Sequence, residues 1–198
     1  MKKTQNKRWL LAFSLTEVLA VSAIVTSLPT GAYMKVQQKA HETECKSNLQ
    51  QIGVAIVAYQ TGQNAYPKAA FFPKDPANGE DSIVKILADS DAGIPAQMWI
   101  CPAAPEELAQ KGLTFVYNDE FGGRASLPDP TRAWLMIEVN CVSNKVPPPH
   151  PAGYNILFAD GHVVSSRQLP SSITSKQKAS IEGLLRQAGP VRSLALAK

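Results

Sequence analysis

The sequence predicts an α+β protein: a long N-terminal helix, transmembrane in its first part, packed by its C-terminal half on a small antiparallel β-sheet. Three observations predict it. A basic start leads into an apolar run over residues 9–28, close to the ~20 residues that cross a bilayer as a helix. Beyond that run, Cys45, Leu49, Ile52, Ile56 and Tyr59 recur at steps of four and three, one stripe of an amphipathic helix. Short β-rich runs then follow, two of them flanking Asp160-Gly161.

Composition narrows the function classes. The chain has 198 residues, 44% apolar and 18% charged, which is the composition of one folding domain plus an anchor. The net charge of +4 is local: Lys2, Lys3, Lys7 and Arg8 all precede the apolar run, and without them basic and acidic residues balance at 16 each. No basic patch with interleaved aromatics remains, so nucleic acid is not an expected partner. Cys45, Cys101 and Cys141 form no CxxC pair, which argues against a zinc ribbon.

The four leading cations stay in the cytoplasm by the positive-inside rule and put the body outside. A secretory signal peptide cut near Thr30-Gly31-Ala32, a plain single-span anchor and a short processed leader all fit the basic-then-apolar order. Glu17 separates them. A carboxylate inside a membrane segment costs about 2.5–3.5 kcal/mol at the helix centre, so it calls for a partner. A cut between Ala12 and Phe13 supplies one. Phe13 then carries a free amine, and Glu17, four residues on, lies on the same helix face. Pairing makes the buried charge tolerable.

The stretch Ala12-Phe13-Ser14-Leu15-Thr16-Glu17 resembles the type IV pilin and type II secretion pseudopilin family. It shares the short basic leader, the small residue before the cut (Ala12 where the family usually has Gly), Phe first, Glu fifth and an apolar helix after. The resemblance implies a prepilin leader, cleavage and N-methylation by a prepilin peptidase at Ala12 and Phe13, and a Glu17 that guides docking onto neighbouring subunits. It implies a non-enzymatic subunit without cofactor, in the cytoplasmic (inner) membrane as a single-pass protein with its C-terminal domain in the periplasm or exterior. Its partners would be membrane lipid, other pilin or pseudopilin subunits and the inner-membrane assembly platform, in a type II secretion pseudopilus or a type IV pilus-like filament. The alternative is a membrane-tethered periplasmic binding module that does not polymerise.

Domain boundaries follow: a leader over 1–12, a transmembrane and assembly helix over 13–33, its amphipathic continuation over 34–61, a β-domain over 62–170, and a C-terminal helix and tail over 171–198. Pro29 is expected to kink the long helix, and Gly62 and Pro67 to end it. A short helix is expected over 81–88 with Asp81 as its cap. Strands are expected over 114–117, 133–139, 154–159 and 162–166. In the second, Trp134, Met136 and Glu138 alternate with Leu135, Ile137 and Val139. Asp160-Gly161 is read as a type I′ hairpin turn. Ile173, Ile181, Leu184 and Leu185 are the apolar positions of the C-terminal helix.

A second signature is His150, nine residues, then Asp160-Gly161. It resembles the H-X9-DG module at the end of one large group of prepilin-like proteins. Other pieces of that group are Cys45, Asn48, Leu49 and Gln51 after the first helix, Tyr59 and Tyr66-Pro67, Ile100-Cys101-Pro102, and Tyr117-Asn118. Two readings of His150 compete. It fixes the hairpin loop by hydrogen bonding, with Asp160-Gly161 simply the turn. Or it joins Asp160 and His162, with Glu138 as a further donor, as metal ligands; their loose spacing makes this the weaker reading. Calcium, which related major pseudopilins hold in a C-terminal loop, lacks an acidic loop here. Cys45 and Cys101 are a possible disulfide, stapling the irregular segment to the helix; pairing with Cys141, or three thiols, are the alternatives. Neither a Gly-rich phosphate loop nor HExxH occurs, so no catalytic residue is expected.

Overall fold

A computed structural model of the chain describes residues 30–142 and 146–173. The leader, Phe13, Glu17, Pro29 and the C-terminal helix expected beyond Ile173 lie outside the described residues. The chain divides into two units, 1–36 and 37–198. Helix α1, Thr30–Gln63, runs from the first into the second. In the first unit its side chains from Ala32 to Val36 are exposed.

In the second unit α1 buries Cys45, Leu49, Ile52 and Ile56 completely, which is the stripe its spacing specifies. Gly62 stays helical. The stop is Asn64, whose φ of 53° is the left-handed conformation that ends helices after their last turn. An irregular segment follows, interrupted by α2 (Ile83–Ala88), a 3₁₀ turn (Ala96–Trp99) and α3 (Glu106–Ala109). Ser82, not Asp81, caps α2: its side chain accepts from the Val84 N–H.

Four short strands come next: β1 (Phe115–Tyr117), β2 (Trp134–Glu138), β3 (Tyr154–Phe158) and β4 (Val163–Ser166). They form one antiparallel sheet in sequence order. Each lies within one of the β-rich runs. A bulge between Trp134 and Met136 shifts the β2 register. It breaks the simple alternation expected there: Leu135 and Met136 join one apolar cluster, and Trp134 and Ile137 the other. Strands β1 to β3 are therefore buried on both faces, whereas β4 is half-buried to exposed. The hairpin turn also differs. Only Gly161, at φ 90°, is left-handed. Its N–H bonds Phe158, while the Phe158 N–H bonds the His162 carbonyl. This is a type I turn closed by a glycine bulge, the three-residue alternative to type I′.

The predicted architecture is corrected. No described helix is long and apolar enough to cross a membrane, and nearly all of the expected transmembrane span, 13–33, lies outside the described residues. The helix-on-sheet layer is where the structure differs: α1 does not lie on the sheet in the pilin-like manner expected. Its stripe enters a core to which the irregular segment contributes Tyr66, Ala69, Ile83, Leu87, Trp99 and Leu113, beside the sheet's Phe115, Tyr117, Met136 and Leu157. The physical reason is length. Strands of three to five residues reach about 10–17 Å, whereas the stripe from Cys45 to Tyr59 covers about 21 Å. Chain outside the sheet must cover the rest. Where helix and sheet do meet, they meet closely: a Cβ on Gly53 would stand 2.9 Å from a Leu157 methyl.

Gly153 sets the loop that carries His150. It has φ 115°, its N–H bonds the His150 carbonyl, and a Cβ there would run into the Ser166 carbonyl and the Arg167 nitrogen. Gly161 also has positive φ, but open space around it. Thermal unfolding is expected to show Gly161→Ala losing about 1–2 kcal/mol from backbone strain, and Gly153→Ala losing clearly more, because main chain must also move. Equal losses would contradict this account of the loop.

Candidate metal centre

Four chain segments far apart in sequence deliver polar atoms to one point. Cys45 comes from the buried stripe of α1. Cys101 follows the 3₁₀ turn and opens a tight turn in which the Ala104 N–H bonds the Cys101 carbonyl, with Pro102 pre-set for its second position. Glu138 is the last residue of β2, and His150 stands in the loop before β3. One ligand atom from each lies within 4.8 Å of all the others. All four residues are buried, at 0%, 1%, 1% and 5% exposure.

The contacts are specific. Cys45 Sγ lies 3.1 Å from Glu138 Oε1. His150 Nε2 lies 3.1 Å from the same oxygen and 3.4 Å from Cys101 Sγ. The other carboxylate oxygen, Oε2, accepts from the backbone N–H of Asn155, which turns Oε1 toward the two sulfurs and the imidazole. The Cys101 N–H donates to Thr114 Oγ1 at 2.7 Å. Asn48, one turn after Cys45, donates from Nδ2 to the Ile100 carbonyl at 3.1 Å and ties α1 to the residue before Cys101.

Electrostatics follow from burial and proximity. Desolvation, then the neighbouring Cys101 and Glu138, push the Cys45 thiol up, so it stays protonated. Cys45 as a hydrogen-bond donor pulls Cys101 down against its burial, with help from His150 and the Ala103 N–H. Burial alone would lower His150; hydrogen bonds to Cys101 and Glu138 outweigh it and raise the imidazole to about 9. Without a cation, protons on Cys45 and His150 hold the cluster together. Among the described residues His150 Nδ1 has no hydrogen-bond partner, and the ring engages the centre through Nε2.

The structure thus regroups the residues that the sequence singled out. Cys45 and Cys101 are adjacent, but none of the three cysteines is in a disulfide. Cys141 is buried in the other apolar cluster. Of the weak metal candidates, His150 enters the centre, with Glu138. Asp160 and His162 do not: they pair with each other at 2.5 Å on the hairpin. Desolvation raises the Asp160 carboxyl, but hydrogen bonds and charge from His162 together outweigh it and hold it below its usual range; the His162 ring stacks on Phe158 at 4.5 Å. Sequence reasoning had all four centre residues in view but divided them between a disulfide and a different ligand set. Successive separations of 56, 37 and 12 residues carry no local spacing signal.

Two further motif residues hold backbone of the surrounding body. Besides Asn48, Tyr117 Oη donates to the Pro67 carbonyl at 3.1 Å and Asn118 Nδ2 to the Trp134 carbonyl at 3.1 Å. Comparison with protein-family models, with curated proteins and with solved structures finds no match. Chemically, the centre offers two sulfurs, an imidazole nitrogen and a carboxylate oxygen, sealed from solvent. Asn48→Ala would leave the Ile100 carbonyl without its partner, and chemical denaturation is expected to show a loss of about 1–2 kcal/mol. An unchanged midpoint would remove Asn48 from the supports of the centre.

Proposed function

We propose that the chain is a non-enzymatic subunit of the prepilin class, cut between Ala12 and Phe13 by a prepilin peptidase and assembled through its N-terminal segment into a secretion pseudopilus or pilus-like filament. The observation that carries the reading is Glu17, a carboxylate set four residues after Phe13 inside an apolar run. It is unfavourable in lipid unless an amine meets it, and the cut creates that amine. The body would then face the periplasm or exterior, with other subunits and the inner-membrane assembly platform as partners.

The body supports a structural rather than a catalytic role. Its gathered reactive side chains, Cys45, Cys101, Glu138 and His150, are at most 5% exposed. Substrate has no approach to a site closed in this way, and a closed site is the mark of a structural centre. On α1, Tyr33, Met34, Val36, Val54 and Val57 are exposed apolar side chains, which favours contact with other chains.

N-terminal sequencing and intact mass of protein recovered from its own membrane are expected to give a chain starting at N-methyl-Phe13. Glu17→Ala is expected to insert and be processed, yet to fail to co-purify or cross-link with assembled subunits. A start near Tyr33, or an uncut Met1, would overturn the reading. Correct processing with assembly unaffected by Glu17→Ala would favour the tethered binding module that does not polymerise.

A further inference from the structure

We propose that Cys45, Cys101, Glu138 and His150 form a structural zinc site that clasps α1, the Cys101 turn, the end of β2 and the loop before β3 into one body. The inference concerns the folded body and holds whichever way the N-terminus is processed.

Geometry is the first argument. Zinc takes sulfur at about 2.3 Å and imidazole or carboxylate ligands at about 2.0–2.2 Å, so the edges of its tetrahedron measure about 3.3–3.8 Å. The contacts across this cluster are 3.1, 3.1 and 3.4 Å, and every pair of donors lies within 4.8 Å. Side-chain adjustments of up to about 1 Å, toward the tetrahedral edge lengths, suffice to admit the ion. A disulfide would fix only Cys45 and Cys101, and would leave the buried Glu138 carboxylate with the imidazole and the Asn155 N–H as partners. A proton network satisfies the carboxylate, but it does not require two sulfurs at the same point.

Donor chemistry is the second. Two thiolates and an imidazole select a borderline-soft ion, and four donors without an open position match a closed tetrahedral site. Calcium and magnesium demand more oxygens than the single carboxylate provides. The surroundings orient the carboxylate and the Cys101 sulfur, as outer groups do at metal sites, while His150 Nδ1 has no such partner among the described residues. The Asn155 N–H orients the carboxylate through Oε2. The tight turn at Pro102 and the Asn48 bond to Ile100 hold the Cys101 sulfur against the helix.

Binding exchanges protons for metal. Zn²⁺ displaces the Cys45 thiol proton and the proton shared at His150, which leave to solvent; Zn–S, Zn–N and Zn–O bonds form, and no electron is transferred. Because the ligands come from four segments, binding energy becomes folding energy.

The test uses the full chain, purified in detergent without added chelator. Elemental analysis is expected to give one zinc per chain. After chelation, Co²⁺ alone is expected to produce the intense visible bands of a tetrahedral thiolate site, together with sulfur-to-cobalt charge transfer. Cys101→Ser and His150→Ala are expected to lose at least tenfold in zinc affinity, while His162→Ala retains it. The cobalt spectrum needs no variant, so it decides the matter even if a ligand variant fails to fold. Substoichiometric metal with a six-coordinate cobalt spectrum would overturn the proposal. So would an intact mass showing a Cys45–Cys101 disulfide, or zinc retained at full affinity in both ligand variants.

Discussion

The buried carboxylate of Glu138 is the constraint around which the body is arranged. An ionised carboxylate removed from water is costly unless it is both paired and hydrogen-bonded. Here both oxygens are met, Oε2 by the Asn155 backbone and Oε1 by His150 and Cys45. Those partners come from β3, the loop before it, and α1. Satisfying one carboxylate therefore fixes the position of three other parts of the chain. Cys101, through the Asn48–Ile100 bond and its contact with His150, brings in the irregular segment as a fourth.

This arrangement explains how so small a sheet supports a folded body. Four strands of three to five residues cannot cover a helix stripe of four turns, and the missing cover comes from chain rich in proline and poor in regular structure. Such chain makes few ladder hydrogen bonds of its own. Its positions are set by single bonds to neighbours: Phe71 accepts from the Tyr117 N–H beside β1, Tyr66 exchanges backbone bonds with the 123–124 turn, and Ile100 accepts from Asn48. A polar centre that ties this segment to helix and sheet adds what the apolar core does not, a defined register between them.

Much of the fold was legible because it is local. The stripe on α1 follows from a period of 3.6, and the four strands from β-rich runs bounded by turns. What escaped is what depends on long-range contact. Asn64 takes the left-handed conformation one residue beyond the helix, so Gly62, the more obvious breaker, stays inside it. The β2 bulge depends on pairing with β3 and leaves no mark in the run Trp134-Leu135-Met136. The helix-on-sheet layer failed because periodicity identifies a buried face without identifying what buries it. The centre was half legible: each residue stood out by type, but the grouping depended on which loops the chain folds together.

The central claim is that one ion, bound by two sulfurs and two lighter atoms, joins four segments of this chain. X-ray absorption at the zinc edge of the purified full chain tests it most directly. The account predicts a four-coordinate spectrum with two sulfur scatterers at about 2.3 Å and two nitrogen or oxygen scatterers at about 2.0–2.2 Å. A shell of oxygen and nitrogen alone, or no zinc edge at all, would contradict it and leave the four side chains as a buried proton network.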